Sequence, residues 1–311
     1  MLTLQDIKNA GKRIAPYLYP TPLEIAPDLG DGLHLKLENA NLTHSFKIRG
    51  ALNAALLLDD EAKAKGIVTA SSGNHAQALA YASHVTGINA RILMPKHTPK
   101  RKVRGVKRYG AEAVLFGDNY DETEAEALRL GHEGFTFVSP YSHPNIIAGA
   151  GTIGLEILEQ LPTVERVVVC VSGGGLISGI AMAIKETNPD IEVIGVNAES
   201  APSMYNLMYG TNNPEVWETL AEALSGDIEE GSITRDLTLK YVDKIVLVSE
   251  SQIADAMRFM VDTQGWMVEG GGAVGVASFL GGVLEADGRP TAVIVSGGNV
   301  DGDTLRQILN T

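Results

Sequence analysis

The sequence predicts an α/β protein built from two doubly wound, mostly parallel-sheet domains with a ligand cleft between them. Two observations carry this. Short runs rich in Val and Ile, apolar on both faces, alternate with helical patterns along most of the 311 residues. Strands of that kind, each followed by a helix, belong in parallel sheets covered on both sides. At least seven such units occur, many for one sheet in a chain this long, so two α/β domains with ligands bound between them are expected.

In chain order, "GIVTA" (66–70) leads to "NHAQALAYASHV", and "ARILMP" (90–95) leads to a basic segment. "AEAVLF" (111–116) leads to "DETEAEALRLGHE", whose alanines, leucines and glutamates favour helix. "RVVVCV" (166–171) precedes "LISGIAMAIKET", and "IEVIGV" (191–196) precedes "SAPSMYNLMYG". "KIVLVS" (244–249) precedes "SQIADAMRFMVDT", and "TAVIVS" (291–296) closes the series. The least regular region, 210–237, reads as a surface excursion that helps to wall a pocket.

Composition narrows the function classes. Hydrophobic residues make up 44% and charged residues 20%, an ordinary globular mix. A net charge of -13 opposes a nucleic-acid surface, which needs clustered Lys and Arg. The one basic cluster, "KHTPKRKVRGVKR" (96–108), is expected to be a solvated helix face. Cys170 is the single cysteine, so no internal disulfide forms; inside "RVVVCV" it reads as a small buried hydrophobe. No run is long enough to span a bilayer and no signal-like core opens the chain, so a cytoplasmic protein without membrane contact is expected.

Four polar junctions and one lysine carry the chemistry. "GAGTIG" (149–154) matches a dinucleotide fingerprint, but no strand runs directly into it, so close packing of a helix start is the expected reading. "VVVCVSGGGLISGIA" (167–181) is better placed, because a strand enters Ser172, Gly173, Gly174 and Gly175 and a helix leaves them. Such glycines let an anion approach backbone N–H groups at a helix N-terminus. No Lys follows, so a phosphate monoester suits the loop better than a nucleoside triphosphate; a tight turn is the bland reading. "TASSGNHAQALAYA" (69–82) offers Ser71, Ser72, Asn74 and His75 at another strand-to-helix junction, either for an anion or as simple helix capping. "SGGN" (296–299) ends the last strand, where ligands sit in open parallel sheets. Lys47, in "NLTHSFKIRGA" (41–51), follows an aromatic and precedes a small apolar run. A lysine in such a setting can have a lowered pKa and form a Schiff base.

Together these stretches resemble the pyridoxal-phosphate enzymes of the tryptophan synthase β fold, specifically the threonine/serine dehydratase and serine racemase family. The matching segments are "TPL" (21–23), "LKLENANLTHSFKIRGA" (35–51), "ASSGNHAQALAYA" (70–82), "AGAGTIGLEIL" (148–158), "SGGGLISGIA" (172–181), "VEGGGAVGVA" (268–277) and "SGGN" (296–299). "SFKIRGA" favours the dehydratase branch over cysteine-synthase relatives, whose lysine segment carries an acidic residue before the arginine.

The resemblance implies a large domain of residues 1–50 plus 143–311 and a small one of 51–142, with pyridoxal 5'-phosphate between them. It implies that Lys47 joins the cofactor aldehyde and later acts as acid and base, that Phe46 packs beside the ring, and that Asn74 hydrogen-bonds the ring hydroxyl. Ser172, Gly173, Gly174, Gly175 and Leu176 would cradle the phosphate, and Ser296 would face the ring nitrogen. Ser71, Ser72, Asn74 and His75 would hold the substrate, and Glu269 matches an acidic residue near the ring. The implied activity is dehydration and deamination of a small β-hydroxy amino acid. Racemisation by Lys47 and Ser72 from opposite faces is the alternative, and a non-catalytic cofactor-binding protein the less favoured one.

The chain departs from the family's habits in places. It reads "AGAGT" where "AGQGT" is common, and "EGGGAV" where "EPAGAV" is usual. A divalent-cation pair of the racemases is matched by Glu199 but meets Tyr205 at its second position, so no metal is expected. A homodimer is expected by family habit. Few residues follow Asn299, so the added regulatory domain of biosynthetic relatives is not expected.

Overall fold

The computed structural model describes residues 2–310. Among the described residues ten strands form two sheets. They are β1 Leu23–Ile25, β2 Leu33–Leu37, β3 Ile67–Ala70, β4 Ala90–Met94, β5 Glu112–Leu115, β6 Thr136–Phe137, β7 Arg166–Cys170, β8 Glu192–Ala198, β9 Lys244–Val248 and β10 Thr291–Val295. The six-stranded sheet has the order β1-β2-β10-β7-β8-β9, and the four-stranded sheet the order β5-β4-β3-β6. Only the β1–β2 pair is antiparallel. All seven strands expected from apolar runs are present; β1, β2 and β6 are additional. β6 is two residues long, too short for any periodic signal.

Every residue of β7 and of β10 is buried, as strands covered by helices on both faces must be. The chain lays down β1 and β2, builds the whole four-stranded sheet, and returns to complete the larger sheet with β7 through β10. This places β10 between β2 and β7, with Val295 opposite Leu37 and Thr291 opposite Arg166. Three neighbouring parallel strands therefore end side by side, and their carboxyl ends lead to Lys47, to Ser296 and to the triple glycine. Ligands bind at such ends in open parallel sheets.

The glycines of "GAGTIG" lie inside the helix Pro144–Gln160, not at a strand-to-helix turn. A Cβ at Gly149 would come 2.5 Å from the Arg49 carbonyl oxygen, and one at Gly151 2.8 Å from that of Gly179. A Cβ at Gly179 would in turn come 2.4 Å from the Ile147 oxygen. These glycines let the helices Lys47–Leu56, Pro144–Gln160 and Gly175–Lys185 touch backbone to backbone. Helix packing, not a nucleotide, explains them.

A buried ionic network fixes the start of the Lys47 helix. Arg49 makes a fork to Glu38, with Nε–Oε2 and Nη2–Oε1 both 2.8 Å. It reaches Glu156 through Nη1 at 2.5 Å and Nη2 at 2.9 Å, and Thr152 Oγ1 at 3.1 Å. Lys36 Nζ completes the set at 2.6 Å from Glu156, 2.8 Å from the Thr21 carbonyl and 2.8 Å from Gln160 Oε1. Arg49 and Glu38 are 1% and 0% exposed. Burial opposes the charge on Arg49, but the two carboxylates outweigh it and hold the guanidinium pKa above its usual value. Glu156 is desolvated as well, yet Arg49 and Lys36 keep its carboxyl below the ordinary range.

Arg49→Met should lower stability by about 3–5 kcal/mol, the cost of leaving Glu38 buried without its cation. Urea denaturation should show it as a lower midpoint at unchanged slope; a midpoint equal to wild type would contradict the assigned role of the network.

Candidate active site

The Lys47 side chain is set where an ammonium ion is disfavoured. Lys47 is the first residue of its helix, whose positive end repels a cation. Its Nζ donates to the Pro140 carbonyl oxygen at 2.8 Å and lies 5.1 Å from the centroid of the Phe46 ring. Among the described residues no carboxylate is within ion-pair distance of it. Desolvation in the cleft lowers its pKa to about 8, with Glu269 and the Cys170 position too weak to offset that.

The Lys47 segment is held against the end of β10. Ser45 bridges Gly297 in antiparallel fashion, Phe46 N–H donates to the Ser296 carbonyl at 3.0 Å, and Gly298 N–H donates to the His44 carbonyl at 2.9 Å. Ser296 is 4% exposed and lies against the Cys170 thiol. Burial pushes that thiol up to about 11, so Cys170 is no nucleophile at neutral pH.

Past β7, the helix Gly175–Lys185 starts after Gly174, which takes a left-handed φ of 86° as N-cap with no side-chain cap. A Cβ at Gly173 would come 2.6 Å from the Tyr141 ring, and one at Gly175 2.6 Å from the Tyr141 carbonyl oxygen. Thr234 Oγ1 donates to the Gly173 carbonyl at 2.7 Å. Ser172 is half-buried beside them, and Leu176 is anchored in the core.

The four-stranded sheet contributes the helix Asn74–Thr86 at the end of β3. Its N-cap is Gly73 and no side chain caps it, so the capping role open to Ser71 and Ser72 is not used. Ser71 Oγ accepts from Gly73 N–H at 3.3 Å, and Ser72 is half-buried beside it. His75 is buried with Nε2 3.2 Å from the Val138 carbonyl and Nδ1 without a partner. A carbonyl only accepts, so the proton sits on Nε2 and Nδ1 is a bare acceptor. Burial, aided by the Lys47 charge, lowers the His75 pKa to about 3, so the ring is neutral. The backbone N–H of His75, in the first helical turn, is what this residue can offer an anion.

Glu269 joins the two halves. It is the N-cap of the helix Gly270–Leu280 but does not cap it. Its Oε1 accepts instead from Asn74 Nδ2 at 2.6 Å, and Asn74 Oδ1 accepts from Asn299 Nδ2 at 2.7 Å. Desolvation raises the Glu269 carboxyl to about 7. The glycines after it have a physical reason: a Cβ at Gly270 would come 2.1 Å from the Leu220 carbonyl oxygen, and Gly271 faces Leu224 and Ala223. The irregular stretch expected over 210–237 ends at 232, because a helix begins at Ile233, and this 210–232 excursion packs on Gly270 and Gly271. The basic helix Lys100–Lys107 is not wholly solvated either, since Lys102 pairs with Glu222 of the excursion at 3.6 Å and Arg101 with Asp301 at 2.6 Å.

The structure therefore brings Lys47, Phe46, Ser296, Asn74, His75 and the Gly173–Gly175 turn near one another, linked through the Ser296 carbonyl, Glu269 and the segment 138–141, and Ser71, Ser72 and Ser172 lie on the same loops. Sequence reasoning missed the segment 138–141. It passes His75 at Val138, Lys47 at Pro140 and the glycines at Tyr141, but its own sequence carries no signal beyond a proline after a short strand. Pyridoxal phosphate fits these residues. The triple glycine starts a helix that no side chain caps, the amine is desolvated without a counter-ion, and the unpartnered Ser45 Oγ and His75 Nδ1 mark polar atoms left free in a buried setting.

A family model described as pyridoxal-phosphate dependent enzyme matches residues 14–297. The chain is 44% identical to L-threonine ammonia-lyase of Thermotoga maritima, over 100% of this chain and 79% of that protein. It is 40% identical to the catabolic L-threonine dehydratase TdcB of Escherichia coli, over 99% of this chain and 96% of that one. Among solved structures, maize serine racemase superposes with a TM-score of 0.92 at 34% identity, over 99% and 97% of the two chains. Threonine deaminase isoform 2 of Solanum lycopersicum gives 0.90 at 31% identity, over 99% and 86%.

Two pH effects are expected. The apoprotein should capture pyridoxal phosphate at a rate that climbs about tenfold per pH unit below a Lys47 pKa of about 8 and levels off above it, followed as visible absorbance. Rates flat between pH 6 and about 8 would contradict the lowered pKa. Glu269 has a folded pKa raised from 4.5 to about 7, so its contribution to stability is complete below 4.5 and is lost as pH rises through 7. The melting temperature of apoprotein Glu269→Gln, relative to wild type, should accordingly rise across that interval.

Proposed function

The chain belongs to the pyridoxal-phosphate-dependent enzymes, and on that premise we propose that it converts a small β-hydroxy amino acid, L-threonine or L-serine, into a 2-oxo acid and ammonia by β-elimination. One observation carries the reading: a desolvated amine, Lys47 Nζ, with no counter-ion, stands in one cleft with an uncapped glycine turn and the hydroxyl of Ser296. Relatives that are 40–44% identical bear the names L-threonine ammonia-lyase and dehydratase.

When bound, the cofactor supplies an aldehyde for the amine and a conjugated ring that spreads the negative charge left by removal of an α-proton. The residues of the chain do the rest. Lys47 Nζ would hold the aldehyde and would serve as the base that takes the α-proton; a pKa of about 8 suits an acid/base group at neutral pH. The N–H groups of Gly173 through Leu176 would hold the phosphate at a helix N-terminus. Phe46 would support the ring, and Asn74, oriented by Glu269 and Asn299, would meet its hydroxyl. Ser296 would face the ring nitrogen with a hydroxyl, which cannot secure a proton there as a carboxylate would. Ser71 and the first-turn N–H groups of Asn74 and His75 would hold the substrate carboxylate. The α-proton and the β-hydroxyl leave as water, and the released enamine takes up water to give the 2-oxo acid and ammonia.

Ser72 and the likeness to serine racemase favour a second reaction, racemisation, in which Ser72 Oγ would return the proton from the face opposite Lys47. In the same reading the cleft separates a large domain, 1–50 plus 143–311, from a small one, 51–142; the separate sheet of β3 through β6 supports that division. A single cysteine supports a cytoplasmic location. Exposed Ile25 on the edge strand β1, with exposed Met267 beside Trp266, which bonds Glu24 of that strand, supports pairing of two copies.

L-threonine and L-serine should each release a 2-oxo acid and ammonia, and Lys47→Ala should lose at least about 10³-fold in rate together with the visible cofactor band. Accumulation of D-serine without pyruvate would overturn the main reading. Ser72→Ala should abolish any D-serine formed while leaving 2-oxo acid release within severalfold of wild type.

A further inference from the structure

Tyr141 is the residue through which the glycine turn, the lysine and the 210–232 excursion meet. Its ring lies so close to the turn that a Cβ on Gly173 would come 2.6 Å from Cδ2, 2.7 Å from Cε2 and 2.8 Å from Cγ. Its carbonyl oxygen lies 2.6 Å from the Cβ position of Gly175. Its hydroxyl accepts from the Glu229 N–H at 3.2 Å, and the carbonyl one residue earlier, on Pro140, accepts from Lys47 Nζ at 2.8 Å. Ser139, Ser142, His143 and Glu229 line a cavity of about 610 Å³ to which Tyr141 does not contribute, because its ring is turned inward to the glycines.

We propose that Tyr141 is a positioning residue for the phosphate cradle: its flat ring sets the course of Gly173–Gly175, and its peptide fixes the distance from that turn to Lys47. The physical reason is the packing of the turn. Three successive glycines have no side chains to hold their own conformation and lose more chain entropy on ordering than any other residues. Something outside the loop must hold them, and the aromatic face fills that place, while Thr234 bonds the Gly173 carbonyl from another side. Glu229, in turn, holds the phenol, so the excursion acts on the cradle through this ring.

The inference rests on the cofactor reading of the site, and a titration of apoprotein with pyridoxal phosphate and, separately, with pyridoxal keeps the two apart. Tyr141→Ala should weaken pyridoxal phosphate binding at least tenfold while binding of pyridoxal, which lacks the phosphate, stays within twofold. Tyr141→Phe, which keeps the ring and drops the tether to Glu229, should restore phosphate-dependent affinity to within threefold of wild type. If Tyr141→Ala does not fold, as judged by its melting curve, Tyr141→Leu should show the same selective loss, at least threefold. Wild type without cofactor uptake defeats the reading of the site itself. Uptake by wild type with undiminished affinity in Tyr141→Ala, or with equal losses for both ligands, defeats the role of Tyr141.

Discussion

The fold hangs on the buried fork between Arg49 and Glu38. Glu38 closes the turn after β2, Arg49 lies two residues past Lys47, and Glu156 and Lys36 bind the same cluster to the helix Pro144–Gln160. A desolvated set of two cations and two anions is tolerable only with all four members in place, since any one removed strands its partner in low dielectric. That requirement admits one register for the Lys47 helix relative to β2 and to the long helix. Net stability gained over an apolar core of similar shape is small; what the cluster imposes is position.

With the helix so placed, the site's electrostatics follow from uncapped helix starts. The helices beginning at Lys47, Asn74, Gly175 and Gly270 all lack a side-chain cap. Their free N–H groups and positive ends make the cleft receptive to anions and unfavourable to an ammonium ion. Desolvation acts in the same direction on the ionisable groups: it lowers Lys47 to about 8, raises Glu269 to about 7 and lowers His75 to about 3. Each is pushed toward its neutral form: His75 is neutral at pH 7, Glu269 titrates close to neutrality, and Lys47 gives up its proton only slightly above it.

Much of this is legible in the sequence. The seven apolar runs became seven strands, and the polar clusters Ser71–His75, Ser172–Gly175 and Ser296–Asn299 fall at the ends of β3, β7 and β10 because those residue types mark where parallel strands turn into helices or loops. The resemblance then supplied chemistry to residues that local pattern could only call anion-friendly. Three features stayed hidden. Lys36 and Arg49 look like surface cations in a sequence, since pairing with Glu156 spans 120 and 107 residues. The missing strand before "GAGTIG" already pointed to helix packing, but which helices its glycines touch has no local signal. Tyr141 sits in a stretch with no periodicity at all.

The sequence by itself determined the α/β class, the lysine and the glycine turns, because apolar run length, flanking glycines and residue type are local properties. Tertiary structure alone decided that β10 enters between β2 and β7, that Glu269 reaches Asn74 across 195 residues, and that Pro140 and Tyr141 lie against the amine and the glycines. Those outcomes depend on strand order and on which helix faces touch. Periodicity along a chain records that a face is buried, but not against what.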